Sequence, residues 1–304
     1  MGMFKAFYAD QFVLPLPVGH RFPMQKYRLL RERVSQFDGV ELVEAPLASL
    51  EQILLAHNAD YVSRVFAGAM SPAEQREIGF PWSPEMVIRS SRSAGATIAA
   101  ARVALEAGIS ANLAGGTHHA YANKGSGFCV FNDAAIAARV MQQECGEKFA
   151  RCLQVAIVDL DVHQGNGTAA ILQNDPSIFT FSIHGEKNFP FRKESSDLDI
   201  GLMDGCSDAL YLEALASGLY QLGRLFSPDL IIYLAGADPF GGDRLGRLDL
   251  TMDGLLQRDQ IVFEWAKSRH LPIAIAMAGG YGRDITQTVA IHAQTIQKAI
   301  TYQW

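Results

Sequence analysis

The chain of 304 residues lacks several features that mark secreted, membrane or nucleic-acid-binding proteins. It has only four cysteines with no CxxC pair, and no charged segment followed by an apolar signal stretch opens it. These absences favour a reducing, cytoplasmic compartment. No run of about 18 apolar residues predicts a membrane-spanning helix. The formal net charge of −6 argues against a broad phosphate-binding surface, so neither a membrane nor a nucleic acid is an expected partner.

The chain also lacks a long Ser/Gly-rich linker. Its 49% of hydrophobic residues suffices for a sizeable core, and its length fits one large domain or two smaller ones. Seven prolines between residues 15 and 84 predict loops there, with short helices over 26–36 and 49–55. Because no linker separates this part from the rest, we expect one domain over residues 1–304.

Beyond residue 90, amphipathic segments alternate with short apolar runs. The predicted helices are 93–106, 132–143, 207–225, 252–267 and 285–300, and the run 177–183 is one predicted strand. Such alternation predicts a single-domain three-layer α/β/α fold with a mainly parallel central sheet.

Four more apolar runs end in residues that bind metals or move protons: 111–119 (ANLAGGTHH), 154–163 (QVAIVDLDVH), 229–238 (DLIIYLAGAD) and 272–281 (PIAIAMAGGY). Open parallel sheets gather ligands at the carboxyl ends of their strands. We therefore expect these four endings to converge on one pocket with the residues of a metal hydrolase.

The VDLDVH run predicts the metal site. Asp159, Asp161 and His163 are spaced by two, so an extended chain would project all three to one side. Carboxylates with an imidazole suit Zn²⁺ or Fe²⁺, whereas Ca²⁺ prefers oxygen alone. The spacing leaves open which two contact the metal, and an Asp-rich strand end that caps a helix is the alternative. Asp238 is the expected third ligand, or else a turn carboxylate before Pro239.

Three further residues suggest proton transfer and charge stabilisation. His118 and His119 follow a Gly-Gly turn, and imidazoles titrate near neutrality, so they suit a general base and a general acid. Asp159 and Asn166 are the expected partners of the pair. Tyr281 is a candidate donor to an oxyanion, unless it only packs at a strand end. Phe128 and Phe189 lie in Gly- or Pro-flanked loops and are either tunnel walls or buried loop anchors.

Together the blocks HHAYANKGSGFCVFNDAAIA, VDLDVHQGNGT, GADPFGGDRLG and GGY resemble zinc-dependent histone deacetylases and their bacterial relatives, in the arginase/deacetylase superfamily. HQGNG and GGDRLG are most similar to the class IV branch. The resemblance covers nearly the whole chain and implies zinc as cofactor. It also implies roles for matching residues: zinc ligands Asp161, His163 and Asp238; catalytic His118, His119 and Tyr281; and an acyl-lysine tunnel of Gly127, Phe128 and Phe189.

The same resemblance implies two features around the histidines. Asp159 matches the carboxylate behind the first histidine and, with Ser182 and backbone carbonyls of Asp161, His163 and Ile183, a structural K⁺ site. Asn166 stands where class I enzymes carry Asp, which leaves His119 without a carboxylate partner.

The expected function is zinc-dependent removal of acetyl or other acyl groups from the N-ε of lysine, on a protein or peptide. An acetylpolyamine or another small acylated amine is the alternative substrate. An arginase-like ureohydrolase with two manganese ions would need more Asp and His ligands, and a non-catalytic acyl-lysine binder would have lost some of these residues. The sequence leaves the physiological substrate, the preferred acyl length and the oligomeric state open.

Overall fold

A sheet of eight parallel strands forms the middle layer of the computed structural model, which describes residues 2–149 and 152–303. The strands of these ranges are β1 (Phe4–Tyr8), β2 (Val40–Glu44), β3 (Ile109–Asn112), β4 (Val155–Asp159), β5 (Ile178–Gly185), β6 (Leu198–Leu202), β7 (Leu230–Leu234) and β8 (Ile273–Ala276). They lie in the order β2-β1-β3-β8-β7-β4-β5-β6. Every neighbouring pair is parallel, which confirms the predicted sheet.

Helices cover both faces of the sheet. They are α1 (Gln25–Val34), α2 (Leu50–Leu54), α3 (Ala59–Ala67), α4 (Pro72–Ile78), α5 (Pro84–Ala107), α6 (Asp133–Phe149), α7 (Asn166–Leu172), α8 (Asp208–Leu225), α9 (Met252–Lys267) and α10 (Ile285–Ile300). None of the helices in the described ranges is long and apolar enough to cross a membrane.

The two outer layers bury separate apolar cores because side chains alternate across each strand. In β4, Ile157 packs in a core with residues of α5 and α6, whereas Ala156 and Val158 pack in a second core with residues of α8, α9 and α10. All five residues of β4 are buried, as is usual for a parallel strand covered by helices on both faces. This packing confirms the predicted three-layer α/β/α architecture.

Helix caps explain where the predicted boundaries were wrong. The helix predicted over 93–106 begins nine residues earlier, because Ser83 accepts a hydrogen bond from the Met86 amide and Pro84 occupies the first turn. In α4, Pro72 again occupies the first turn, and Ser71 and Glu74 form a capping box. These two prolines start helices in a region where the sequence had predicted loops.

Candidate active site

Four neighbouring strands bring the candidate residues to one edge of the sheet. β3, β8, β7 and β4 are adjacent, and the loops after them line a cavity of about 1000 Å³. These four strands end before the residues that line the cavity, so the lining side chains lie on the loops that follow the strands. The cavity brings together most of the predicted residues, except Asp159, which does not line it: the lining includes His118, His119, Asp161, His163, Asn166, Asp238 and Tyr281.

Asp161, His163 and Asp238 form a buried cluster whose ligand atoms all lie within 4.8 Å of one another. The Nδ1 atom of His163 is 3.0 Å from Asp161 Oδ1 and 3.4 Å from Asp238 Oδ2. Backbone amides orient the carboxylates: Gly279 donates to Asp161 Oδ2 at 2.6 Å, and Val162 donates to Asp238 Oδ1 at 2.9 Å. In the described ranges, this is the one group of three such residues close enough to share a metal ion.

The charges of this cluster fit a divalent cation. Asp238 Oδ2 is buried and accepts no hydrogen bond, an arrangement that is costly unless a cation satisfies the oxygen. Burial and the charge of Asp161 raise the pKa of Asp238 to about 7. For His163, burial lowers the pKa, but the hydrogen bond to Asp161 and the charges of both aspartates outweigh it and raise the pKa to about 10. Two carboxylates and one imidazole suit zinc and leave a coordination position for water or substrate.

The two histidines differ in what lies behind each ring. His118 Nδ1 is 2.6 Å from Asp159 Oδ2, whereas His119 Nδ1 is 2.7 Å from Asn166 Oδ1. Burial lowers the pKa of His118, but the charges of Asp159 and Asp161 outweigh it and raise the pKa to about 9. Burial and the neighbouring His118 hold the pKa of His119 well below its usual value. His119 is therefore neutral at pH 7, and its Nε2 can accept a proton.

Asp159 does not join the metal cluster. β4 ends at Asp159, so the extended geometry that would project Asp159, Asp161 and His163 to one side does not continue past this residue. Asp159 pairs with His118, while Asp161 and His163 turn toward Asp238. Asp159 lies opposite Ser182 in the register of β4 and β5, and Ser182 Oγ is 3.0 Å from His184 Nδ1. The K⁺ site stays a prediction.

Backbone hydrogen bonds fix the position of Tyr281. Its amide donates to Asp243 Oδ2 at 2.6 Å, and its carbonyl accepts from Arg244 Nε at 3.0 Å. The buried Lys26 ammonium donates to the carbonyls of Ala278 and Gly280 just before it. Burial and nearby charges raise the pKa of the phenol well above its usual value, so Tyr281 stays a hydrogen-bond donor at neutral pH. Asp243 lies in the quoted block GGDRLG, but its spacing alone did not reveal this contact.

Aromatic rings line the cavity beside His119 and Tyr281. The ring of Phe189 makes an edge contact with His119 at 4.9 Å between centroids, and Phe128 lies 5.9 Å from Tyr281. Gly127 has a φ of +52°, and a Cβ there would come within 2.6 Å of the His119 ring. Only glycine leaves this space open. Phe128, also at positive φ, completes the turn. All three predicted tunnel residues line the cavity.

Arg258 of α9 binds the backbone of two loops of the site, and the sequence analysis did not predict this role. It is fully buried, and its Nη1 donates to the carbonyls of Gly236 at 2.5 Å and Leu160 at 3.4 Å. These carbonyls belong to the two loops that carry the metal-site carboxylates. An ion pair of 2.8 Å between Nη2 and Asp259 balances the buried charge. Only the folded chain brings α9 behind these loops.

Arg258→Met is expected to lower the free energy of unfolding by about 3–5 kcal/mol, because Asp259 would keep a buried charge without its partner. Urea denaturation measures the change. The control is Arg224→Met on the exposed side of α8, where a change within about 0.5 kcal/mol is expected. Equal stability of the two variants would contradict a structural role for the pair.

Comparison with known proteins agrees with this geometry. The Histone deacetylase domain model matches residues 20–296. The acetoin utilization protein AcuC of Bacillus subtilis is 31% identical over 295 residues, covering 89% of this chain and 74% of AcuC. The chain belongs to the histone deacetylase family. A protein of Picosynechococcus sp. named only as uncharacterized is 44% identical, over 95% of this chain and 96% of that protein.

The fold of this family member is also that of a solved structure. The crystal structure of an HDAC homolog from Aquifex aeolicus superposes with a TM-score of 0.83 at 23% identity, covering 98% of this chain and 84% of that one. Family membership makes the protein a deacetylase, a hydrolase of linear amide bonds. Its resemblance to the class IV branch stays a prediction, as does the cytoplasmic location.

Proposed function

We propose that this deacetylase is zinc-dependent and removes acetyl or other acyl groups from the N-ε of lysine in proteins or peptides. One observation carries the proposal: the Asp161–His163–Asp238 cluster lies at the same cavity as two differently partnered histidines and a neutral phenol. Phe128 and Phe189 both line the cavity, and apolar rings of this kind suit the aliphatic chain of an acyl-lysine.

The roles of the residues follow from their surroundings. Asp161, His163 and Asp238 would hold the zinc ion, which would supply Lewis-acid polarisation of the amide carbonyl and acidify water. His119 accepts a proton from the attacking water through Nε2, since Asn166 holds its Nδ1. His118, kept protonated by Asp159, delivers a proton to the leaving amine. The hydroxyl of Tyr281 donates a hydrogen bond to the developing oxyanion.

Two further ions are part of the proposed function. A structural K⁺ ion would use Ser182, Asp159 and neighbouring carbonyls, and Fe²⁺ could replace Zn²⁺ because the donor set suits both ions. A ureohydrolase with two metal ions is not favoured, because a second cluster of three ligands does not occur in the described ranges.

The substrate class is tested with protein prepared metal-free and reloaded with zinc. Acetyl-, butyryl- and octanoyl-lysine peptides and N-acetylspermidine are compared by the amine that each releases. The proposal expects the best kcat/KM on a lysine peptide. Cleavage of N-acetylspermidine alone would replace it with a polyamine deacetylase.

Tyr281→Phe tests the oxyanion role. The change removes one hydroxyl and keeps the ring, so fold and zinc content should be retained while kcat falls by about 10²–10³, the usual loss for one such donor. Steady-state kinetics and metal analysis on the same preparation measure both. Tyr302→Phe, near the carboxyl end of the chain and outside the cavity, is the control. If the Tyr281 variant kept full turnover, Tyr281 would be only a packing residue.

A further inference from the structure

Exposed positive side chains surround the opening of the cavity, although the whole chain carries a formal charge of −6. They come from four separate segments: the loop before α1, the helix α4, the β5–β6 loop and the loop after β7. The exposed cations that line the cavity are Arg21, Arg76, Lys187, Arg192 and Arg247. We call this set the basic rim.

The acidic residues at the cavity do not neutralise the rim. Apart from the metal-site aspartates, Glu77 and Glu194 are the carboxylates among the described residues that line it. Glu77 is paired with Lys124 at 2.7 Å, and Glu194 accepts from the Tyr121 hydroxyl at 3.1 Å. Arg247 pairs with Asp204 at 3.2 Å. In the part of the chain that the structure describes, the other four rim cations have no carboxylate oxygen within 4.0 Å.

Two rim cations flank one tunnel wall. Lys187 and Arg192 lie two and three residues from Phe189, whose ring contacts His119. Between them in sequence, the side chain of Phe191 is 87% exposed. Groups that flank a lysine in the tunnel would therefore meet two positive charges and an apolar ring on this side.

The other two unpaired cations are close in sequence to groups that contact the Gly127–Phe128 turn. Arg76 precedes Glu77, whose carbonyl accepts from the Gly127 amide at 3.1 Å. Arg21 precedes Phe22, whose ring is 5.4 Å from that of Phe128. Each unpaired rim cation thus lies within about three residues in sequence of a group at a tunnel wall, and all four line the cavity.

We propose that the basic rim selects acyl-lysines that lie in acidic segments, with Asp or Glu at the flanking positions. This inference rests on the proposed function, because the acyl-lysine must enter the tunnel for its neighbours to reach the rim. A positive rim raises the rate of encounter with negative substrates and disfavours like charges. Acetylpolyamines and Lys/Arg-rich peptide segments are positively charged, so the basic rim disfavours them as substrates.

The test uses three acetyl-lysine peptides of equal length that differ only at the four flanking positions, which are all Asp, all Gln or all Arg. N-acetylspermidine is the fourth substrate. With zinc-loaded protein at about 20 mM salt, we expect kcat/KM for the Asp peptide to exceed that for the Arg peptide by about 10-fold or more. The reason is that the Asp side chains of the peptide form two to three exposed ion pairs with cations of the basic rim. At about 300 mM salt the ratio should shrink to about twofold because salt screens exposed charges.

A charge-reversed variant identifies the residues responsible. Lys187→Glu with Arg192→Glu is expected to bring the Asp-to-Arg ratio to one or below. The matched control is Arg33→Glu with Arg224→Glu, which changes the net charge equally at exposed positions on α1 and α8 outside the cavity. The control should keep the ratio of the unaltered protein. The salt dependence of the unaltered protein tests the rim independently of how the variants fold.

The possible failures are distinguishable. If the three peptides were cleaved equally at low salt, or if the control lost the preference as fully as the rim variant, the rim inference would fail and the proposed function would stand. A preference for the Arg peptide would also overturn the inference alone, whereas a preference for N-acetylspermidine would contradict both the inference and the proposed function. If zinc-loaded protein cleaved no acyl-lysine peptide, both the rim inference and the proposed function would be wrong.

Discussion

Asp238→Asn is expected to lower kcat on an acetyl-lysine peptide by at least about 10³-fold and to reduce bound zinc far below one ion per chain. Asp238 is fully buried, and its Oδ2 is the oxygen in the cluster without a hydrogen bond. The amide keeps the size of the side chain and an oxygen that can accept from the Val162 amide, but it removes the negative charge. Metal catalysis contributes several kcal/mol, so loss of the ion costs about three orders of magnitude or more.

The control for Asp238→Asn is Asp38→Asn, an exposed aspartate between α1 and β2. It should keep both zinc and turnover. Zinc content, circular dichroism and kcat are measured on the same preparations, so that a folding defect is separated from a metal defect. A folded Asp238→Asn variant with full zinc and unchanged kcat would remove Asp238 from the metal site.

His119→Ala is expected to lower kcat by about 10³–10⁴, and His118→Ala by about 10–10² only. A positioned general base contributes about 10²–10⁴. His119 is the neutral member of the pair because burial and the neighbouring His118 lower its pKa, and Asn166 fixes its tautomer. His118 is held as imidazolium by Asp159, so it cannot accept the first proton.

The comparison of the two histidines requires that both variants retain zinc, which metal analysis checks. Asn166→Ala gives a further control, since it leaves both rings but removes the contact that orients His119; an intermediate loss is expected. If His118→Ala and His119→Ala lost activity equally and completely, the division of roles would be wrong and the pair would act as one unit.

Much of the fold could be predicted because the strands are buried on both faces. The apolar runs of β4, β7 and β8 stand out, and α9 and α10 begin and end where their periodicity predicted. β1, β2 and β6 were not predicted, because each has only five residues, and the prolines between residues 15 and 84 led us to expect loops in the part of the chain that contains β2. Prolines at the starts of α4 and α5 carry the same local signal as prolines in loops, so only the caps distinguish the two.

The candidate site was predictable where its residues share a strand end, and less so elsewhere. Asp161, His163 and Asp238 follow β4 and β7, which are neighbours in the sheet. The spacing of VDLDVH did not reveal that β4 ends at Asp159, but the expected partners of the histidine pair, Asp159 and Asn166, do contact the two rings. Arg258 and the basic rim depend on packing between segments far apart in the chain, and periodicity carries no information about such contacts.

The most direct test of the account is the release of acetate from an acetyl-lysine peptide as zinc is added back to metal-free protein. The account predicts no release without metal, an increase in proportion to bound zinc, and a plateau at one ion per chain. Turnover by the metal-free protein, or a plateau that requires two ions per chain, would contradict a mononuclear site at Asp161, His163 and Asp238.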